Sequence, residues 1–179
     1  MVSGGGSISV RPVPFARDAV AAAGAGVVVM GVTERPEWRV WDASGALVRV
    51  IRLEVPERPV TDAEWSRARE TQLPADADAA VRGALRDLYE SVPRPDGWPV
   101  FSNLIVDDRG HLWVERYAVP WEEEGPGRWW IFDPAGVLLG EVAVPAGFRV
   151  DGVRGEWMVG RWEDALGVAR VRVHRIVGR

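Results

Sequence analysis

The four-residue pattern Asp-x-x-Gly recurs along this chain and constrains its fold more than any other feature. It occupies positions 42–45, 107–110 and 133–136. In such a turn the Asp carboxylate accepts bonds from backbone amides ahead of it, and the Gly adopts the positive φ that lets the chain reverse. Each copy therefore predicts two paired antiparallel strands. The predicted structural turn residues are Asp42, Gly45, Asp107, Gly110, Asp133 and Gly136.

A longer repeat surrounds two of these turns. Residues 38–53, WRVWDASGALVRVIRL, align with residues 129–144, WWIFDPAGVLLGEVAV. The third turn lies between the apolar stretches NLIV and HLWV. Turns flanked each time by β-branched and aromatic residues are typical of an antiparallel meander, and self-similarity indicates a repeat architecture.

Several predicted strands are apolar at consecutive positions, among them residues 27–30, 129–132 and 137–139. Strands of this kind require cover on both faces. The hairpin turns leave no room for crossover helices, so the sheets are expected to stack face to face, as in a β-propeller. The predicted fold class is all-β with a small helical insertion: consecutive antiparallel meander blades forming an incomplete propeller ring.

The whole chain, 1–179, is expected to form a single propeller segment, with blades at approximately 15–55, 100–145 and 148–177. The third blade has only three predicted strands. Residues 8–13 are either the strand that completes that blade or the outer strand of a blade whose remainder is absent. The Gly-rich start at 4–6 favours the second alternative and a chain cut from something longer.

A segment at 61–97 differs in character and predicts a helical insertion. Thr61 and Glu64 form a capping-box pattern that begins a short helix. A second helix is predicted from Asp76 or Asp78 to Ser91, followed by prolines. Its apolar face carries Val81, Leu85 and Leu88. We expect a packed surface insertion, with a lid or a partner-binding helix as the alternative.

Residues 104–114, LIVDDRGHLWV, and 130–140, WIFDPAGVLLG, resemble the blades of bacterial six-bladed β-propellers of the NHL and TolB-like kind. The resemblance implies a ring of six blades, of which this chain supplies about half. Proteins of that group bind partners in the envelope or act as scaffolds. The sugar-lactone hydrolase and streptogramin-lyase branches perform metal-assisted chemistry in the central channel, but their metal ligands do not map onto residues of this sequence.

Composition excludes several kinds of chemistry. The chain has no Cys, and all 22 of its Lys and Arg residues are Arg. Disulfides, thiolate nucleophiles, Schiff-base lysines and the P-loop lysine are therefore excluded. A net charge of -4 with interspersed signs argues against a nucleic-acid partner. No apolar run is long enough to span a bilayer. No signal peptide is visible in the sequence. The residues do not assign the protein to a cellular compartment, and the resembled family is often extracytoplasmic.

Few residues are candidates for a site. His111 is expected to open a strand and His174 to be a solvated strand residue, and two histidines cannot build a three-histidine metal site. The acidic stretches 107–108 and 122–124 are expected to be a turn and a solvated loop, with cation or partner binding as the alternative for the loop. The tryptophans are expected to pack between blades, whereas Trp121 is a candidate exposed contact residue.

These observations predict a non-catalytic β-propeller binding or scaffold module, part of a longer propeller protein. No catalytic residue, cofactor or metal ligand is assigned. The expected partners are missing propeller blades or a second copy of the chain, and the protein or small-molecule ligand is left open. The alternative is a propeller hydrolase or lyase with a carboxylate-bound divalent cation in the central channel.

Overall fold

The computed structural model of the protein describes residues 15–73, 78–119, 121, 125–164 and 166–177. The predicted strand at 8–13 and the acidic triplet at 122–124 lie outside the described residues. The strands are β1 Ala19–Gly24, β2 Val27–Val32, β3 Glu37–Asp42, β4 Leu47–Arg52, β5 Phe101–Val106, β6 Leu112–Arg116, β7 Gly127–Phe132, β8 Leu138–Val144, β9 Phe148–Arg154, β10 Trp157–Glu163 and β11 Ala169–Arg175; the helices are α1 Asp62–Thr71 and α2 Ala79–Ser91.

The strands form three antiparallel sheets, each a meander in which neighbours in sequence pair in space. Sheet 1 contains β1 to β4, sheet 2 contains β5 to β8, and sheet 3 contains β9 to β11. A mostly β chain with antiparallel sheets and two helices is thereby confirmed among the described residues.

Sheets 1 and 2 pack face to face across an apolar core. Sheet 1 contributes Val29, Trp38, Val40 and Ile51, and sheet 2 contributes Phe101, Leu104, Leu112, Val114, Trp130 and Phe132. The first strands of the two sheets approach closely, because a Cβ at Gly24 would lie 2.6 Å from the carbonyl oxygen of Val106. A larger residue at Gly24 would therefore push β1 and β5 apart.

The other face of sheet 2 packs against sheet 3. This second core contains Trp113, Trp129, Val144, Phe148, Val150, Val153 and Met158. Within sheet 3, Gly160 on β10 allows the backbone of the paired strand β9 to come close, since a Cβ at this position would lie 2.1 Å from the carbonyl oxygen of Arg149. Sheet 2 is therefore the middle layer of three and is covered on both faces.

Of the three consecutive apolar strands, only 129–132 is covered on both faces. The bare outer face of β2 agrees with an incomplete ring, whose first sheet has no preceding sheet, whereas the exposure of 137–139 contradicts the expectation of cover. On β2, Val29 is buried, but Val28 and Met30 are exposed. Val137 and Leu139 are each 59 % exposed. The reason is position: sheet 1 meets a neighbouring sheet on one side, and β8 is the last strand of sheet 2. The prediction holds for 129–132, in the middle layer.

The helical insertion is attached through α1. Thr61 and Glu64 form the predicted capping box, and Asp78 caps the start of α2. Helix α1 buries Trp65 and Ala68 in a third cluster with Phe15, Val60 and Val119. No described residue of α2 is buried. Within the described part of the chain, neither helix is both long and apolar enough to traverse a bilayer.

Candidate functional site

A groove of about 1090 Å³ opens where the ends of sheets 1 and 2 meet the base of the helical insertion. Its walls come from the β2–β3 turn, the chain after β4, the chain before β5 and the two ends of the β6–β7 connection. Polar and aromatic lining residues include Arg17, Glu34, Arg35, Glu57, Arg58, Asp96, Trp98, Arg116, Tyr117, Arg128 and Trp130. Five prolines, Pro36, Pro56, Pro59, Pro99 and Pro126, complete the walls.

Two arginines lie side by side at one end of the groove. Strand β6 pairs with β7 so that Glu115 faces Trp129, and continuing this register sets Arg116 opposite Arg128. Glu141 on β8 accepts a hydrogen bond from each arginine, at 2.9 Å and 2.6 Å. Burial opposes ionisation of Glu141, but the bonds from Arg128 and Arg116 hold its pKa below the ordinary value. This end of the groove has two cations for one anion.

Arginine and aromatic side chains also stack in the groove wall formed by Arg58 and Trp98. The Arg58 guanidinium lies 3.3 Å from the ring centroid of Trp98 and donates to Glu64 at 2.9 Å. The Trp98 indole N–H also donates to Glu64, at 3.4 Å. Glu64 therefore joins α1 to the groove wall.

The Glu64 carboxylate is strongly stabilised in its charged form. It accepts bonds from the Thr61 amide and hydroxyl, both at 3.0 Å. These bonds, led by the Thr61 amide and aided by Arg58 and Trp98, outweigh burial and lower the pKa of Glu64 to about 2. The wall at Arg58 and Trp98 is thus held by an ionised carboxylate at neutral pH.

An aromatic cluster supports the groove from behind. The Phe15 amide donates to the Tyr117 hydroxyl at 2.9 Å, and the Phe15 ring contacts Trp98 at 5.1 Å between centroids. Trp121 meets Phe15 edge-on at 6.2 Å and lies beneath the Arg67 guanidinium. The expectation that Trp121 is an exposed contact residue is therefore wrong, because its ring is partly covered by this cluster.

A His–Asp pair lies in the turn between β5 and β6. The Asp107 side chain is 4 % exposed, and its Oδ2 lies 2.9 Å from Nδ1 of His111. Burial disfavours the Asp107 anion, but bonds from the Trp113 indole and the His111 and Arg109 amides hold its pKa below the ordinary value. An ionised Asp107 favours the His111 tautomer with the proton on Nδ1. No hydroxyl nucleophile is bonded to His111 among the described contacts.

The three sequence-derived turns share one geometry. Gly45, Gly110 and Gly136 have φ of 85°, 83° and 87°. In each turn the Asp side chain accepts from the backbone amide four residues ahead. These residues shape the turns of sheets 1 and 2, and none of them lines the groove.

A fourth turn of the same kind lies where the sequence predicts a turn, at 163–167, but its Asp-x-x-Gly pattern was not recognised as a further copy. Asp164 accepts from the amides of Leu166 and Val168, and Gly167 has a φ of 72°. The pattern Asp-x-x-Gly is present there too, between β10 and β11, and the search for repeats could have found it. Arg116 and Arg128 were also missed, because only the strand register brings them together.

His174 is not solvated as expected. Its ring packs edge-on against Phe148, with centroids 4.7 Å apart. The neighbouring Val171 and Val173 face outward instead and are 74 % and 58 % exposed. The two sides of β11 are therefore reversed relative to the prediction, because His174 is the residue that faces sheet 2.

Two exposed sheet faces remain at the ends of the stack. The sheet-1 exposed face consists of Ala19, Ala21, Ala23, Val28, Met30 and Val32. The apolar residues of the sheet-3 exposed face are Trp157, Val159, Val171 and Val173, with Val159 paired to Val173. On each face these apolar residues lie beside charged ones, such as Arg39 opposite Met30 on sheet 1 and Arg161 opposite Val171 on sheet 3. Both faces point away from sheet 2.

No group of three or more His, Asp or Glu side chains in the described ranges is arranged to hold a metal ion. Comparison with known proteins adds no family: no protein-family model matches the chain, and no curated protein is significantly similar to it.

Proposed function

We propose that the chain is a non-catalytic binding or scaffold module built from β-propeller blades, and that it assembles through its two exposed sheet faces. The observation that carries this proposal is the apolar sheet-1 exposed face, on which Val28, Met30 and Val32 are 41 %, 42 % and 43 % exposed. Contiguous apolar surface of this kind marks an interaction site in soluble proteins.

The chain itself suggests the occupant. Both internal interfaces join one face of a sheet to the opposite face of the next sheet in sequence. The exposed face of sheet 1 corresponds to the face that sheets 2 and 3 present to the preceding sheet. The exposed face of sheet 3 corresponds to the face that sheets 1 and 2 present to the following sheet. The sheet-1 exposed face carries three small alanines along β1, whereas Trp157 is a large projecting residue on the sheet-3 exposed face. We therefore assign a second copy as the occupant, with sheet 3 of each copy on sheet 1 of the other.

Light scattering over micromolar concentrations tests this assembly. The parent chain is expected to dimerise. Met30→Glu on sheet 1 and Val173→Glu on sheet 3 should each give monomers, because each change puts a charge into both symmetric interfaces. Leu139→Glu, at an exposed apolar residue on sheet 2, away from both faces, should leave the dimer intact.

Mixing the two monomeric variants is the sharper test. A Met30→Glu copy and a Val173→Glu copy can share one interface that carries neither change, so a heterodimer should form on mixing. A parent chain that stays monomeric and resists proteolysis would overturn assembly with a second copy. A dimer that is insensitive to both changes would show that other surfaces are used.

A further inference from the structure

We propose that the groove binds an extended acidic segment of a partner protein and anchors one of its carboxylates on Arg116 and Arg128. This site is separate from the exposed sheet faces, since neither face contributes to the lining of the groove. The two proposals can therefore fail independently.

The arginine pair has hydrogen-bond donors to spare. Each guanidinium carries five N–H donors. Glu141 receives one bond from Arg116 and one from Arg128, through different oxygens. The two side chains are 42 % and 56 % exposed, so their remaining donors can reach a ligand. Two like charges on opposed strand positions repel, and a second anion would relieve that repulsion.

The surplus of positive charge is local to this pair. Elsewhere in the groove, Arg17 is paired with both Glu34 and Asp96, and Arg35 also contacts Glu34. Arg58 is paired with Glu64, and Glu57 adds a further negative charge to the lining. A nucleic-acid backbone needs a row of cations, whereas a single surplus charge suits one carboxylate.

An aromatic ring holds one of the two arginines, Arg116, in position. The Arg116 guanidinium lies 5.1 Å from the centroid of Trp130, which is itself 9 % exposed. Stacking on a ring restricts the side chain before the ligand arrives, so less conformational entropy is lost on binding. The arrangement favours bidentate recognition of a planar carboxylate.

The size and rigidity of the groove favour a peptide over a small molecule. Its volume of about 1090 Å³ is slightly larger than that of most small-molecule sites, and it is partly open to solvent. Proline fixes φ in five of its wall residues, which makes the walls stiff. A stiff, partly open groove with aromatic residues in its walls is the kind of surface that receives extended, proline-containing chains.

Fluorescence polarisation with labelled eight-residue peptides tests the site. The probes are (Glu-Pro)₄, (Gln-Pro)₄ and (Lys-Pro)₄ at near-physiological salt. The acidic peptide should bind at least about tenfold more tightly than the neutral one, and Arg116→Gln or Arg128→Gln should each remove about tenfold of that affinity. Arg175→Gln, an exposed arginine paired with Glu156 on sheet 3, is the matched control and should leave binding unchanged.

Three results would overturn the proposal. One is the absence of (Glu-Pro)₄ binding at millimolar concentration, and another is equal binding of all three peptides. The third is competition by free glutarate at the same concentration as the peptide, which would show a small-carboxylate site instead. The Met30→Glu variant should keep its affinity for (Glu-Pro)₄, and this result separates groove binding from assembly.

Discussion

Trp38 and Trp129 occupy the same position in two successive sheets. Each lies four residues before the Asp of a turn, on the third strand of its sheet, and each is buried, with exposures of 0 % and 1 %. Trp38 packs against Phe101 and Phe132 of sheet 2, with ring centroids 5.5 Å and 5.3 Å apart. Trp129 fills the next interface, with Phe148 and Val150 of sheet 3. The sequence repeat therefore corresponds to a repeated contact between layers.

Replacing either tryptophan should strongly destabilise the fold. Trp38→Ala and Trp129→Ala each remove a large buried ring and leave a cavity, so each should cost about 3–5 kcal/mol in urea-induced unfolding. Trp157→Ala, at a residue that is 54 % exposed, should cost less than about 1 kcal/mol in a chain held monomeric by Met30→Glu. Equal losses at all three positions would contradict the layered packing.

The turn glycines differ in what surrounds them, which allows a graded test. Gly45 has a φ of 85° with open space around it, whereas a Cβ at Gly136 would lie 3.0 Å from side-chain atoms of Arg49 and Ile51. Gly45→Ala should cost about 1 kcal/mol from left-handed strain, and Gly136→Ala about 2–3 kcal/mol from strain plus crowding.

Gly83→Ala is a control for these substitutions, because it is expected to raise the free energy of unfolding and not to lower it. Gly83 lies inside α2 with nothing near its would-be Cβ. Gly83→Ala should therefore stabilise the helix by roughly 0.5–1 kcal/mol. Thermal unfolding of the three variants checks the order, and a Gly136→Ala protein that melts like the parent would contradict the turn geometry.

The residues of the Asp-x-x-Gly pattern were enough to predict the turns and their strands. The Asp side chain bonds to amides no more than four residues ahead and the Gly supplies the positive φ, so the turn needs no distant part of the chain. Non-local features were harder. Val28 and Val29 are identical residue types, yet one is exposed and the other buried, because only one side of sheet 1 meets another sheet. Arg116 and Arg128 are joined by strand register across a loop, and no short pattern in the sequence reports that pairing. The groove depends on such register and therefore could not be predicted.

Substituting Asp107 should destabilise the fold more than substituting Asp42, its counterpart in an exposed turn. The Asp107 carboxylate accepts from the Trp113 indole at 3.1 Å, and Trp113 is buried. Asp107→Ala leaves that donor and two amides without an acceptor and should cost about 2–4 kcal/mol. Asp42→Ala, in an exposed turn of the same geometry, should cost about 1 kcal/mol, because water can replace the lost bonds. Chemical denaturation of both variants at pH 7 provides the comparison.

Glu64 should make the stability of the insertion dependent on pH in the acid range. Its pKa is lowered from 4.5 to about 2 in the folded chain, so its ionised form stabilises folding. This contribution is complete above about pH 4.5 and is lost as the pH falls towards 2. Glu64→Gln should therefore lower the free energy of unfolding by about 2 kcal/mol at pH 7, where bonds to a charged group are lost.

The difference between the parent and Glu64→Gln should shrink as the pH is lowered, since Glu64 of the unfolded chain becomes protonated below about pH 4.5 while the folded chain still holds it ionised. Denaturation at pH 7, 5 and 3.5, followed by Trp fluorescence, measures that difference at each pH. Glu54→Gln, an exposed residue just after β4, is the control and should differ little from the parent at every pH. A Glu64→Gln deficit that stays constant from pH 7 to pH 3.5 would show that the carboxylate acts by shape and not by charge, and that the wall at Arg58 and Trp98 is not held by an ionised Glu64.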